Sequence, residues 1–149
     1  MSLTILSDEH FMREALKEAQ AAFKEDEIPV GAVIVCNERI IARGHNMTEK
    51  LNDVTAHAEM ICFTSAASFL NSKYLLDCTL YVTLEPCLMC AGASMWTQIP
   101  NIVFGAHDEK RGYSNVQGKI LHPQTKIKGG VMENECADLL KRFFLRKRE

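Results

Sequence analysis

The chain has little of what marks a membrane-spanning or secreted protein. Its longest apolar stretch, residues 28–36, is about half of the roughly 20 residues that a membrane helix needs. The first ten residues contain no basic segment followed by a long apolar one, which a secretion signal would require. The sequence therefore predicts a soluble, cytoplasmic protein that associates with no membrane.

Cysteine is scarce for a protein stabilised by disulfides. Six cysteines in 149 residues fall below the roughly 8 to 10% of a disulfide scaffold, so metal ligation or burial of free thiols is the better interpretation. With 47% hydrophobic residues, the chain can bury a sizeable core. Its length is too short for two ordinary domains, so we expect a single domain over residues 1–149.

An overall excess of positive charge is also absent. The net charge of −2 excludes a nucleic-acid-binding protein that depends on basic charge over its whole surface. The charge is uneven, however: residues 1–60 contain 6 Lys/Arg against 11 Asp/Glu, and residues 61–149 contain 11 against 8. If an anionic partner binds, its phosphates should therefore meet the second half of the chain.

Hydrophobic periodicity indicates an α/β protein. Helices alternate with strands from residue 57 onward, which predicts a three-layer α/β/α domain with a mixed five-stranded sheet. The long segment 107–126 is polar and irregular, and such loops in compact domains are often functional. Pro86 is expected at the first position of a helix, where its missing N–H costs nothing. The expected helices are 8–25, 57–70, 87–97 and 133–148, and the expected strands are 30–36, 39–46, 78–84, 101–106 and 127–132.

Three residues with metal-binding side chains stand at the starts of two of these helices. Cys87 and Cys90 are three apart, so both sulfurs can face one point, and the positive end of a helix favours thiolates. His57, at the start of the neighbouring helix, can supply a third ligand. One His and two Cys leave the fourth tetrahedral position of a zinc ion open for water, as in catalytic sites. Zinc in such a site lowers the pKa of that water to about 7.

Glu59 is the candidate acid–base residue of this site. It lies two residues after His57, which on a regular helix would place it about 200° around the axis. An irregular first turn still allows it to stand beside the metal without ligating it. A carboxylate there can take a proton from the attacking water and give it to a leaving group.

Each half of the pattern has simpler interpretations when taken alone. The Cys87-x-x-Cys90 pair could be a redox pair or half of a structural zinc site, and a lone His57 is more often an ordinary core or surface residue. A non-catalytic, zinc-stabilised binding module is disfavoured because no fourth ligand lies nearby in sequence. The joint pattern H-x-E followed by P-C-x-x-C is the signature of zinc nucleobase deaminases.

Five segments extend the resemblance over nearly the whole chain. They read IPVGAV at 28–33, TAHAE at 55–59, LYVTLEPC at 80–87, MCAGA at 89–93 and FGAHD at 104–108. Together they resemble bacterial tRNA-specific adenosine deaminases. The resemblance implies a cytidine-deaminase-like fold, a homodimer, one Zn²⁺ per chain, and conversion of adenosine to inosine at the wobble position of a tRNA anticodon.

The resemblance also assigns roles to individual residues. By this resemblance, His57, Cys87 and Cys90 are the zinc ligands, and Glu59 transfers protons. The substrate-binding residues are Asn46, which hydrogen-bonds the target base, Asp108, in a segment that faces nucleotides beside that base, and Ala58.

The sequence departs from this family after Asp108. The family usually continues with a Lys-x-Gly-Ala element and a Gly-Ser pair, whereas residues 109–117 here read EKRGYSNVQ. Substrate contacts in that loop therefore cannot be carried over. Because relatives with the same zinc site deaminate free guanine, cytosine or nucleosides, a free-base or nucleoside deaminase is the alternative function.

The last predicted helix ends in a cluster of basic residues. This cluster comprises Lys141, Arg142, Arg146, Lys147 and Arg148. These side chains are either the solvated face of the helix or contacts to the phosphates of RNA, as a tRNA substrate would require. Trp96 is interpreted as a core residue, a dimer contact or a platform for base stacking.

Overall fold

The computed structural model describes residues 7–148, and within that range the chain forms four α-helices, a 3-10 turn at Tyr113–Asn115 and one five-stranded sheet. The helices are Asp8–Lys24 (α1), Ala58–Leu70 (α2), Leu88–Thr97 (α3) and Glu133–Lys147 (α4). The strands are Gly31–Cys36 (β1), Arg39–His45 (β2), Cys78–Leu84 (β3), Asn101–Ala106 (β4) and Lys126–Lys128 (β5).

The sheet is mixed, as predicted. Its strand order is β2-β1-β3-β4-β5, with β1 antiparallel to both of its neighbours and β3, β4 and β5 parallel. Strands β2, β3 and β4 therefore run in the same direction, and their carboxyl ends meet at one edge of the sheet. We call this edge, where β1 begins, the site edge.

Helices cover both faces of the sheet, which confirms the three-layer architecture. On one face, α2 packs against side chains such as Ile34 and Leu80. On the other, α1 and α4 pack against Val33 and Tyr81. Because successive residues of β1 and β3 are buried on opposite faces, these strands are apolar almost throughout.

Two predicted boundaries are wrong, each for a local reason. The strand expected over 127–132 ends at Lys128, because Gly130 adopts a positive φ of 90° that no strand continues through. Gly129 lies so close to Phe104 that a Cβ would be 2.2 Å from the ring. Pro86 precedes the helix instead of starting it, because Cys87 is the N-cap and α3 begins at Leu88.

The four cysteines outside the proposed metal site largely agree with the interpretation that the sequence contains buried free thiols. Cys62, Cys78 and Cys136 are buried, whereas Cys36 is half-buried, and all are free thiols. No helix within the described part of the chain is both long and apolar enough to cross a membrane.

A polar cluster joins α1 to the end of β2. The two ring nitrogens of His45 lie 3.0 Å from Glu18 and 3.1 Å from Glu25. Burial acts to lower the pKa of His45, but its hydrogen bonds to these carboxylates outweigh that effect, and the pKa lies above its usual 6.5. The imidazolium therefore stabilises the contact between α1 and the strand that leads into Asn46.

This cluster predicts a pH-dependent stability. Because the folded-state pKa of His45 is raised, its stabilisation is fully present below the unfolded pKa of about 6.5 and is lost as pH rises through the folded pKa. We expect His45→Gln to lower the free energy of unfolding by about 1 kcal/mol at pH 6 and by less at pH 9. Urea titrations at both pH values measure this difference.

His122→Gln provides the matched control, because within residues 7–148 the hydrogen bond of that ring is a local one, accepted from the Gln124 N–H. An equal loss of stability at both pH values in the His45 variant would contradict a role for the imidazolium.

Candidate active site

The predicted site residues converge at the site edge. Asn46 directly follows β2, Cys87 follows β3 after a two-residue turn, and Asp108 follows β4. His57 comes to the same edge because the loop after β2 returns on itself, with the Met47 N–H donating to the Ala56 carbonyl at 2.9 Å. Strand direction therefore gathers residues that are more than 60 positions apart in sequence.

Three potential metal ligands form one group. The Nδ1 atom of His57 lies 3.6 Å from Sγ of Cys87 and 3.6 Å from Sγ of Cys90. All three donor atoms lie within 4.8 Å of one another. Tetrahedral zinc with bonds of roughly 2.0–2.3 Å separates its nitrogen and sulfur ligands by roughly 3.6 Å. The donor set and its spacing thus fit zinc without rearrangement.

Two of these ligands occupy helix N-cap positions. His57 and Cys87 both have extended backbones, and neither side chain makes the usual capping hydrogen bond. The first amides of α2 and α3 therefore point toward the ligand group, where they favour negative charge. A Ser or Asp cap would stabilise each helix by about 1 kcal/mol more, but it would not bind zinc in this way.

The charge state of the thiols follows from their contacts. Hydrogen bonds from Cys90 and His57 together lower the pKa of Cys87 to about 4, against the opposing effect of burial. The hydrogen bond to Cys87, together with burial, raises the pKa of Cys90. The Cys87 hydrogen bond in turn raises the pKa of His57. One thiolate is therefore stabilised before any metal binds.

Glu59 lies beside the ligand group and is 4% exposed. Its carboxyl group has the Cys90 thiol as a hydrogen-bond partner, and burial raises its pKa to about 7. The 200° separation from His57 expected on a regular helix does not apply, because His57 has φ −76° and ψ 156° and lies before the first helical residue. At this pKa, the group can both accept and donate a proton near neutral pH.

The other two predicted substrate contacts near Glu59 are also buried. Asn46 is 6% exposed, and its N–H donates to the Val30 carbonyl at 3.0 Å. Ala58 is fully buried and is the first residue of α2, so its N–H has no acceptor within the helix. The structure therefore presents a side-chain amide and a main-chain donor at the same edge as Glu59.

Asp108 makes local hydrogen bonds in this structure, and its contact with nucleotides stays a prediction. Its Oδ1 accepts hydrogen bonds from the N–H groups of Lys110 at 3.1 Å and Arg111 at 3.0 Å. The carboxylate therefore shapes the turn that follows β4, and the exposed side chains of Lys110 and Arg111 project from that turn.

Sequence reasoning missed two buried carboxylates at the site edge. Glu27 is 1% exposed and accepts the N–H groups of Glu49 at 3.1 Å and Lys50 at 2.7 Å, in the loop after Asn46. Glu85 is 3% exposed and binds the loop after β4. The available signal was an acidic residue one or two positions before a proline and next to apolar residues, as in Glu-Ile-Pro and Leu-Glu-Pro.

The C-terminal basic cluster is exposed but is not free of partners. Arg142 binds Asp138 at 2.9 Å, and Arg146 and Lys147 bind Asp26 at 3.2 and 2.6 Å. These exposed ion pairs give three of the five side chains an acidic partner, and both interpretations of the cluster, as a solvated face or as phosphate contacts, stay predictions.

Trp96 is 75% exposed, which excludes the core interpretation and leaves the dimer contact and the stacking platform.

Comparison with known proteins identifies the family. The model of the cytidine and deoxycytidylate deaminase zinc-binding region matches residues 6–106. A tRNA-specific adenosine deaminase of Bacillus subtilis (strain 168) is 44% identical, covering 95% of this chain and 92% of the relative. A chloroplastic tRNA(adenine(34)) deaminase of Arabidopsis thaliana is 43% identical over 92% of this chain, which spans only 12% of that longer protein.

A solved structure supports the same conclusion. It comes from a study of A-to-I editing by tRNA:A34 deaminases at the wobble position of transfer RNA. It is 42% identical, covers 87% of this chain and 98% of its own, and has a TM-score of 0.82. The predicted cytidine-deaminase-like fold is therefore confirmed, and the chain belongs to the cytidine and deoxycytidylate deaminase family.

Proposed function

We propose that this chain is a zinc-dependent hydrolytic deaminase that converts adenosine to inosine at the wobble position of a tRNA anticodon. The observation that carries the chemistry is a three-member ligand group at zinc spacing with a buried carboxyl group beside it. The relatives named for tRNA adenosine deamination, which match nearly the whole chain, support the substrate.

His57, Cys87 and Cys90 would hold the zinc ion. Within residues 7–148 the ligand group has three members, which leaves a fourth tetrahedral position for water, whereas a structural site is closed by four protein ligands. This open set argues against the alternative of a non-catalytic, zinc-stabilised module. When bound, zinc supplies a water molecule acidic enough to provide hydroxide at neutral pH.

Glu59 moves the protons of the reaction. Its carboxylate accepts a proton from the attacking water as the C6–O bond forms and the C6=N1 π bond opens, and it passes that proton to N1. It then takes the remaining proton from the new hydroxyl group and gives it to the amino group, so that C6=O forms as the C6–N bond breaks and ammonia leaves. The buried position of Glu59 beside the ligand group supports this role, because a carboxyl group shielded from water exchanges protons with the reacting atoms and not with solvent.

Asn46 and the N–H of Ala58 are positioned to bind the target base, because both lie at the site edge with Glu59. The segment around Asp108 follows the adjacent strand and would meet neighbouring nucleotides. A target base must leave its stack before it can enter such a pocket. The bases of an anticodon loop are already exposed.

We expect a cytoplasmic homodimer. Large apolar side chains are exposed on α2 and α3, including Phe69 at 67% and Trp96 at 75%, and a second copy could cover them.

The first prediction of this proposal concerns the metal. Because two thiolates and an imidazole form an open zinc site, we expect about one zinc per chain in freshly purified protein. Elemental analysis measures this content, and Cys87→Ala should lower it sharply while the cysteine variant Cys36→Ala, outside the site, should not. Metal-free protein that still deaminates RNA would contradict the proposal.

The second prediction concerns Glu59. Glu59→Gln should retain the zinc and the fold but lose about 10²- to 10⁴-fold in turnover, because it removes the proton carrier of both steps. Inosine formation on an anticodon stem-loop and metal content are measured together. Glu38→Gln, in the exposed turn between β1 and β2, is the matched control. Loss of zinc in the Glu59 variant would show instead that this residue is a ligand.

The third prediction concerns the substrate and tests the proposed function directly. The protein should deaminate an anticodon stem-loop and leave free guanine, cytosine and adenosine unchanged. Replacing Lys141 and Arg148 with Gln should flatten the salt dependence of RNA binding by about 0.7 in log–log slope for each phosphate that the variant no longer neutralises.

The matched control is the double replacement of Arg146 and Lys147 with Gln, because these two side chains already share an ion pair with Asp26. Its effect on the salt slope should be smaller. Activity on guanine or cytosine but not on the stem-loop would establish the free-base alternative.

A further inference from the structure

We infer that Glu85 is a positioning residue. Its buried carboxylate holds the loop of residues 107–115 against the turn that leads into Cys87. This loop is called the site loop. The proton transfers described above do not use this carboxylate. The inference rests on the proposed function only for the identity of the substrate whose binding it affects.

The carboxylate of Glu85 binds both ends of the site loop. Its Oε1 accepts the N–H of Asp108 at 3.0 Å. Its Oε2 accepts the N–H of Ser114 at 3.1 Å and the hydroxyl of Ser114 at 2.6 Å. One side chain therefore fixes two points of the loop that are six residues apart.

Gly112 shows how closely the loop passes over this carboxylate. A Cβ at position 112 would lie 2.3 Å from Cδ of Glu85 and 2.4 and 2.5 Å from its two oxygens. Gly112 has an ordinary φ of −62°, so the position requires the absence of a side chain and not the conformational freedom of glycine. The close packing of the site loop on the Glu85 carboxylate therefore depends on glycine at position 112.

The same loop contacts the backbone that presents the zinc ligands. The N–H of Tyr113 donates to the Pro86 carbonyl at 2.8 Å, and Gly112 forms an isolated antiparallel bridge with Cys87. Glu85 itself donates its N–H to the Ala106 carbonyl at 2.8 Å, where β4 ends. Glu85 thus lies between the end of β4, the site loop and the first cysteine ligand.

The chemistry of the contacts makes the carboxylate hard to replace. A carboxylate is an acceptor only, and here it is 3% exposed with three donors aimed at it. Hydrogen bonds to an ionised acceptor are about twice as strong as neutral ones. The amide of Gln has the same shape but presents an NH₂ donor on one side, so one end of the loop would face another donor.

The site loop carries groups placed to meet RNA. It contains Asp108, whose turn projects the basic side chains of Lys110 and Arg111. Loosening the loop should therefore weaken the binding of an anionic substrate while leaving Glu59 and the ligand group in place.

The test compares Glu85→Gln with Glu109→Gln in the zinc-loaded protein. Both variants remove one carboxylate from the same region, but Glu109 is exposed. We expect Glu85→Gln to raise KM for an anticodon stem-loop about tenfold, the size expected for one strong hydrogen bond, with kcat within about threefold of the parent. Amide hydrogen exchange at Asp108 and Ser114 should accelerate in this variant, whereas core amides of β3 should not.

Two milder variants keep the test decisive if Glu85→Gln folds poorly. Ser114→Ala removes only the 2.6 Å hydroxyl contact of an exposed residue and should raise KM by a smaller factor. Gly112→Ala should reproduce the effect of Glu85→Gln, because the added methyl group displaces the carboxylate.

The inference is overturned if Glu85→Gln, folded and with full zinc, matches Glu109→Gln in KM and in the exchange of both amides. It is also overturned if the variant loses zinc and kcat with KM unchanged, since Glu85 would then act on the metal site. If the parent does not deaminate the stem-loop, the proposed function fails, and the exchange rates at Asp108 and Ser114 still decide the positioning role.

Discussion

The shared direction of β2, β3 and β4 is the constraint on which the rest of this structure depends. Because β1 alone runs the opposite way, the carboxyl ends of β2, β3 and β4 and the amino ends of α2 and α3 meet at one edge. Helix amino ends favour anionic ligands, and His57 and Cys87 occupy their N-cap positions. The topology therefore creates the electrostatic environment that thiolate ligands need, before any individual side chain is considered.

The same edge contains three buried carboxyl groups with different physical roles. Glu27 and Glu85 each accept two backbone N–H groups, which compensates their burial and lets them hold loops in place. Glu59 lies beside thiolate charge, and burial raises its pKa to about 7. Burial without full compensation is unfavourable for stability, but it shifts the pKa of Glu59 upward, which is typical of carboxyl groups at functional sites.

The sequence was informative where contacts are local. The spacing of Cys87 and Cys90 predicted their convergence because both lie within one helical turn, and apolar runs located every strand except the end of β5. Ser114 meets Glu85 across 29 residues and Lys147 meets Asp26 across 121. No periodicity encodes such pairings, so the fixed shape of the site loop and the pairing of the basic cluster could not be predicted.

The pairing of Asp26 with Arg146 and Lys147 changes how the uneven charge of the chain should be interpreted. The acidic first half and the basic second half suggest two surfaces of opposite sign, but the fold places α4 against the end of α1, where Arg146 also stacks on Phe23 at 4.3 Å. Some of the acidic charge of the first half is therefore paired with basic charge of the second half, and this pairing holds the two helices together. The positive charge available to an RNA must be judged from where side chains lie in space, and the site edge includes Lys110 and Arg111 on a loop whose shape Glu85 and Asp108 fix.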